Sequence, residues 1–262
     1  MLKTKTAVVY GAGGGIGSAV ARAFSAAGAT VLLVGRHRAP LEKLVEELQA
    51  QGGRAHAAAL DALDEKAVVA HLELAVAEHG SLDVSFDATG IAQPGIQGIP
   101  LTELSVENFM RPVESYTRAH FITARAAARV MASGRGGALL VHTPNPAGVG
   151  TPLVGGMTVA WAGLEALTRS LSSELASKNV RAVCLRSTGI VETPTIDVVY
   201  GIHGAALGIS RDQFRTLVES ATHRRSSTTL AELTAAAIFA ASDLGAALTG
   251  STLNLTGGQS AD

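Results

Sequence analysis

Aromatic side chains are scarce in this 262-residue chain, at 4% of residues against 47% hydrophobic residues overall. Its core must therefore be filled by Ala, Val, Leu and Ile, which suits helices stacked closely on a sheet. A single cysteine excludes an internal disulfide, and Cys184 lies in the apolar run VRAVCL, so a buried structural thiol is expected. Charge of one sign is lacking too: 21 Lys and Arg against 22 Asp and Glu leave a formal net charge of −1. That balance removes the electrostatic case for nucleic acid or an anionic membrane as partner. No apolar run is long enough to span a bilayer. The apolar stretch before Gly11 is too short for a secretory signal, so a cytoplasmic protein is expected. Histidines and acids nowhere take metal-ligand spacing, and no metal site is expected.

What is present is alternation. Apolar runs with strand character (TAVVYG, TVLLVG, RAHAAALD, LDVSFDATG, GGALLVHT, VRAVCLRS, STLNLTGG) alternate with helical segments. The helices are an Ala-rich one from about Ile16 to Ala27, then APLEKLVEELQAQGG, EKAVVAHLELAVAEHG, VENFMRPVESYTRAHFITARAAARVMAS, a segment from Gly155 onward, and one near Leu230–Ala241. Proline opens and glycine closes the second helix, as their backbone preferences favour. Strands alternating with helices of this length imply right-handed βαβ units. The expected fold is α/β, one doubly wound parallel sheet in a single domain over residues 1–262.

The most informative glycines are GAGGGIG, Gly11 to Gly17, closing the first strand and opening the first helix. Gly11 can make the tight turn, Gly15 lets a pyrophosphate approach the backbone, and Gly17 lets the helix pack on the strand. The helix start through Ile16 then offers amides and a positive partial charge to phosphates.

This spacing, Gly-x-x-x-Gly-x-Gly, resembles that of the short-chain dehydrogenase/reductase family, and the resemblance runs over nearly the whole chain. LLVGRHRAPLEKL resembles the family's second strand and turn, and LDALDEKAV its adenine-contacting segment, with Asp61 and Ala62 in place. LDVSFDATGIA lies where the family has Leu-Asp-x-Leu-Val-Asn-Asn-Ala-Gly, so that Asp87, Ala88, Thr89 and Gly90 replace Asn-Asn-Ala-Gly. TGIVETP is similar to the segment after the sixth strand, where Ile190 lies at the cofactor and Thr193 would hold the nicotinamide carboxamide. The resemblance implies a Rossmann fold, a nicotinamide cofactor, a small-molecule substrate and a homotetramer or homodimer built through the long helices. It also implies that the segment at about 194–228, with Tyr200 and His203, covers the substrate.

The cofactor choice follows from charge. An NAD enzyme places a carboxylate at the end of the second strand, where this chain has Gly35 followed by Arg36, His37 and Arg38. A carboxylate would repel a 2′-phosphate whereas Arg36 can bind one bidentately, so NADP(H) is favoured over NAD(H).

The family's reaction uses a tyrosine, a lysine four residues later, a serine and an asparagine. GLEALTRSLSSELA fixes the register of the fifth helix, and that register puts Met157 at the tyrosine and Trp161 at the lysine. Pro144 falls at the serine, with Thr143 and Asn145 beside it, and Tyr116 falls at the asparagine. Met157 has no transferable proton and Trp161 only a non-titrating indole N–H. Tyr116 is the best remaining proton donor, with His120 on the same helical face. Thr143 could replace the serine as a hydrogen-bond donor to substrate, and His142 and Asn145 are weaker candidates. The sequence therefore leaves open an oxidoreductase with an unusual proton source, a nucleotide-binding pseudoenzyme, or a non-redox enzyme reusing the pocket.

Overall fold

The structure, a computed structural model, describes residues 1–260. Seven strands form one parallel sheet in the order β3-β2-β1-β4-β5-β6-β7. They are β1 (Thr6–Tyr10), β2 (Thr30–Gly35), β3 (Arg54–Ala59), β4 (Val84–Asp87), β5 (Gly137–Pro144), β6 (Val180–Ser187) and β7 (Ser251–Leu255). The helices are α1 (Gly15–Ala26), α2 (Arg38–Ala50), α3 (Glu65–His79), α4 (Val106–Ser133), α5 (Met157–Leu175), α6 (Pro194–Ala206), α7 (Arg211–Ser220) and α8 (Leu230–Ala241). The expected α/β doubly wound architecture is what the chain adopts. The order of strands reverses direction between β1 and β4, and in such sheets a crevice opens at the carboxyl ends of the strands there.

The period-two alternation of strand side chains divides the core. Ala7 and Val9 of β1 face one side with Leu33, Phe86, Leu140 and Leu185, where they meet Phe24 of α1 and Leu233 of α8. Val8 and Tyr10 face the other, with Leu32, Val34 and Leu139, against Leu72 of α3 and Ile122 and Met131 of α4. The scarcity of aromatics is offset by placement: Phe24 and Phe86 meet edge to face at the centre, with centroids 6.3 Å apart. Parallel strands buried on both faces need such continuous apolar runs.

Local signals set the helix ends. Asp64 caps α3 by accepting from the Ala67 amide, and Gly80 stops it at φ +81°. Ser105 caps α4, and capping boxes open α7 (Ser210 with Gln213) and α8 (Thr229 with Glu232). The variable segment after β6 is not a loop: it folds as α6 and α7, which pack on one another and over the carboxyl end of the sheet. Among the described residues no helix is long and apolar enough to cross a membrane. No cluster of three or more His, Cys, Asp or Glu side chains suited to a metal occurs among them either.

Candidate active site

At the carboxyl end of the sheet a cleft of about 690 Å³ runs from the glycine turn after β1 to the helices α6 and α7. Its outer part is built on missing side chains. Gly11 has φ +70°, and a Cβ there would stand 2.4 Å from the Ala88 carbonyl oxygen at the end of β4. A Cβ on Gly17 would stand 2.2 Å from the Gly11 oxygen, so α1 rests directly on the turn. A Cβ on Gly15 would meet Thr193 Cγ2 at 2.9 Å, which draws the start of α1 against the segment after β6. Gly14 caps α1 with no side chain over the first turn, leaving its amides facing the cleft with the positive end of the helix dipole.

Arg36 and His37 line this outer part with Asp61 and Ala62. Arg36 is exposed and makes no ion pair among the described residues, whereas Arg38 turns onto α2 and pairs with Glu42 at 3.2 Å. Asp61 accepts from the Leu63 amide at 3.0 Å, which fixes the turn after β3. Ile16, Gly90, Ile190 and Thr193 complete the wall. Thr193 donates its hydroxyl to the Ile190 oxygen at 2.8 Å, so its oxygen remains as an acceptor.

Asp87 does not join them. It is 5% exposed beneath the loop after β4, where Oδ1 accepts from the Thr89 amide at 2.8 Å and Oδ2 from Thr123 Oγ1 at 2.7 Å. His120 Nε2 stands 3.6 Å from its Oδ1. Asp87, His120 and Thr123 instead border a separate cavity of about 30 Å³ behind the cleft.

The inner part holds Tyr116, Pro144 and Trp161, but not Met157 or Thr143. Met157, at the first turn of α5, is fully buried with Ile96, Val154, Trp161 and Leu164, and fills space as apolar bulk. Trp161, one turn on, is 6% exposed and faces the cleft with its indole. Thr143 points to the opposite side of β5, because side chains alternate along a strand. There it donates to Glu165 Oε1 at 3.0 Å and lies 3.2 Å from Cys184 Sγ. The expectation that Thr143 donates to substrate is thus corrected: strand register takes it into the core. Burial pushes the Cys184 thiol up to about 12, the inert character expected of it.

Burial pushes the Tyr116 phenol up to about 12. His120, one turn on, stacks on the Tyr116 ring at 5.8 Å and donates from Nδ1 to the Tyr116 carbonyl at 3.0 Å, without reaching the cleft itself. His142 does reach it. Ser187 Oγ spends its proton on the Thr188 carbonyl at 2.8 Å, so His142 Nε2 must be the donor in its 2.8 Å contact with Ser187. Burial, with His120 nearby, lowers the His142 imidazole to about 4, so it is neutral at pH 7.

In the far wall Tyr200 and His203 were named from sequence, but Gln93, Gln97 and Phe214 were not. His203 of α6 donates from Nε2 to Gln97 Oε1 at 2.8 Å, Gln97 donates to Gln93 Oε1 at 2.6 Å, and Gln93 donates to the Ile91 carbonyl at 2.7 Å. Phe214 of α7 stacks on His203 at 5.1 Å and Tyr200 meets Phe214 edge-on at 5.4 Å. Gln93 and Gln97 carry no motif, since their spacing of four lies in an irregular loop and only the tertiary fold opposes them to α6.

A family model described as enoyl-(acyl carrier protein) reductase matches residues 11–260. The chain is 29% identical over 98% of its length to an uncharacterized oxidoreductase, YxbG, of Bacillus subtilis (strain 168), covering 91% of that protein. It is 32% identical over 78% of its length to 1-deoxy-11-beta-hydroxypentalenate dehydrogenase of Streptomyces exfoliatus, covering 74% of that protein. A short-chain type dehydrogenase/reductase structure from Mycobacterium ulcerans superposes with a TM-score of 0.87 at 26% identity, covering 98% of this chain and 90% of that one. With the family model matched over nearly its whole length, the chain belongs to the short-chain dehydrogenase/reductase family.

Proposed function

We propose that this protein is an NADP(H)-dependent oxidoreductase that reduces a carbonyl group without the family's usual tyrosine and lysine. The observation that carries this reading is the continuity of one cleft, from a helix start without a side-chain cap and an arginine unpaired among the described residues to an aromatic-lined pocket. The outer part fits a dinucleotide phosphate. A diphosphate can lie against the amides at Gly13, Gly14 and Gly15, where no Cβ intervenes, and Arg36 can take the 2′-phosphate. Asp61 and Ala62 would hold the adenine end, and Gly90, Ile190 and Thr193 the nicotinamide end. When bound, the nicotinamide supplies the hydride.

The chain's own contribution is orientation and the proton. The Trp161 indole supplies a flat apolar wall where a lysine would grip the ribose, so the nicotinamide end is held by packing more than by charge. A phenol near 12 is a poor base but an adequate acid toward an alkoxide, which is far more basic. Tyr116 therefore donates its phenolic proton to the substrate oxygen as the carbon is reduced, and the site favours reduction over oxidation. The segment 194–228, through α6 and α7, covers the substrate. Apolar Phe121 on α4 and Val159 on α5, respectively 44% and 49% exposed, support assembly as a homodimer or homotetramer through these helices.

A second reading, a nucleotide-binding pseudoenzyme, is favoured by the complete burial of Met157 and the indole at position 161. Pure protein incubated with NADPH and a broad carbonyl panel separates the two, with absorbance and nucleotide binding followed together. Turnover that Tyr116→Phe depresses supports the oxidoreductase. Tight NADPH binding with no turnover selects the pseudoenzyme, and no NADP(H) binding at all overturns both.

A further inference from the structure

The inner end of the cleft has a charge pattern that bears on its substrate. Among the described side chains that line the cleft, only Arg36 and Asp61 carry formal charge, and both lie at the nucleotide end, after β2 and β3. From Gly90 inward no cation or carboxylate of the described residues lines the space. His142 and His203 each commit Nε2–H to a protein acceptor, and burial lowers both imidazoles from their ordinary value. The Gln93–Gln97–His203 chain runs on to the Ile91 carbonyl and offers a polar wall without charge. The same space is lined by the large apolar faces of Trp161, Tyr200, Phe214, Val154 and Ile196.

Asn145, in the turn after β5, is 2% exposed and lines the cleft, yet neither its Oδ1 nor its Nδ2 has a hydrogen-bond partner among the described residues. Thr89 Oγ1, nearer the glycine turn, and Tyr200 Oη on α6 are the other cleft-lining polar atoms in this condition among the described residues. A buried amide without partners is costly unless a ligand satisfies it. Pro144 and Pro146 flank Asn145 and stiffen its backbone, which presets the amide.

We infer that the inner cleft selects a neutral, largely apolar ring ketone or the corresponding alcohol, with the Asn145 carboxamide as the hydrogen-bond anchor for its oxygen. This rests on the oxidoreductase reading of the same cleft. A substrate bearing a carboxylate or phosphate at this end would shed its water with no cation to meet it, and is rejected on that ground. Ring carbons gain by burial against the aromatic faces.

Trp161 is the only tryptophan in the chain and stands in the wall of this pocket, so its emission reports binding without turnover. The full-length protein is titrated in phosphate buffer, which fills the anion-binding turn equally in every titration. The probes are 4-tert-butylcyclohexanone, tert-butylcyclohexane and 4-oxocyclohexanecarboxylate. The expected result is saturable binding of the ketone, with the carboxylate weaker by about tenfold or more. Asn145→Ala and the isosteric Asn145→Asp should each weaken the ketone by about tenfold while leaving the hydrocarbon unchanged. Carboxylate binding as tight as the ketone, no saturable ketone binding, or unchanged ketone affinity in Asn145→Asp overturns the inference. Selective ketone binding without NADPH-dependent turnover supports it and overturns the oxidoreductase reading instead.

Discussion

The Tyr116 phenol ring stands edge-on to the Trp161 indole, with centroids 6.4 Å apart and planes at 72°. On the register proposed from sequence for α4 and α5, these two residues would stand where the family has an asparagine and a lysine, and the proposed oxidoreductase would exchange a solvated, cationic corner for an aromatic and dry one. A dry corner holds the phenol protonated, because burial raises its pKa to about 12. A group raised in this way keeps its proton at every pH below that value. The reduction rate should then show no loss from Tyr116 ionisation between about pH 6 and about pH 10. Tyr116→Phe should lower kcat about a hundredfold with little change in KM, as for other positioned proton donors. Steady-state rates with NADPH across that range check both statements. A descending limb near neutrality that disappears in Tyr116→Phe would count against this assignment.

Arg36 tests the nucleotide end separately. Its guanidinium is exposed, unpaired among the described residues and set at the rim of the cleft beyond Gly35. Arg36→Ala should weaken NADPH binding by about 10- to 100-fold, the worth of a charge-assisted contact to phosphate, and change NADH binding little. Calorimetric titration of both nucleotides against both proteins measures the difference. Equal losses for NADH and NADPH would point to a structural effect of the substitution.

Much of this was legible in the sequence, for identifiable reasons. β6, α4 and α8 match their expected bounds because apolar period, caps and turn residues agree at each end. The glycine turn was legible because a Cβ at Gly11 or Gly17 would stand only 2.2 to 2.4 Å from a backbone oxygen. The inner cleft was not, because it is assembled from loops and two helices brought together only by tertiary packing. Thr143 shows the cost of a one-residue difference in a strand: His142 and Pro144 face the cleft and Thr143 the core. Asp87 illustrates another limit, since its motif position fixes its place on β4 but not the demand of the Thr89 amide and Thr123 hydroxyl that hold it below the loop.

The glycine turn gives a prediction that separates packing from binding. Gly17→Ala drives a Cβ into the Gly11 carbonyl, which is backbone and cannot swing aside. It should lower stability by about 1–3 kcal/mol, the usual cost of overpacking, and lose nucleotide binding with it. Gly13→Ala meets the Pro40 ring, nearest at 3.5 Å, and Leu41 Cδ2 at 4.0 Å, all ordinary contacts. Its Tm should stay near that of the native protein while nucleotide affinity falls, because Gly13 lines the phosphate cradle. Thermal unfolding with and without NADPH compares the two.

His142 predicts an acid sensitivity. Its imidazole is lowered to about 4 by burial, against about 6.5 in an unfolded chain. The unfolded chain therefore binds the extra proton first. Stability is fully retained above the unfolded value and is lost as pH falls from about 6.5 toward about 4, by up to about 3 kcal/mol. His142→Asn lacks this titration, so its Tm should fall less than that of the native protein between about pH 7 and about pH 5. Parallel slopes for the two proteins would show that another group carries the acid loss.

The core behind the cleft gives the final prediction, and it bears directly on the correction of Thr143. Glu165 of α5 and Arg186 of β6 form a buried bidentate pair, with Nε to Oε1 at 2.8 Å and Nη2 to Oε2 at 2.7 Å. Their side chains are only 6% and 9% exposed, and Thr143 adds a further donor to the carboxylate, at Oε1. Glu165→Ala removes the carboxylate and leaves the guanidinium charge in the core, which should cost about 3–5 kcal/mol in urea unfolding. Thr143→Val keeps the shape and removes only the hydroxyl, at a cost of about 1 kcal/mol. Because Thr143 faces this pair and not the cleft, Thr143→Val should leave ketone binding and kcat within about twofold of native at temperatures well below its Tm. A loss of kcat comparable to that of Tyr116→Phe, without loss of stability, would return Thr143 to the substrate. The side of β5 on which its hydroxyl works is thereby fixed by experiment.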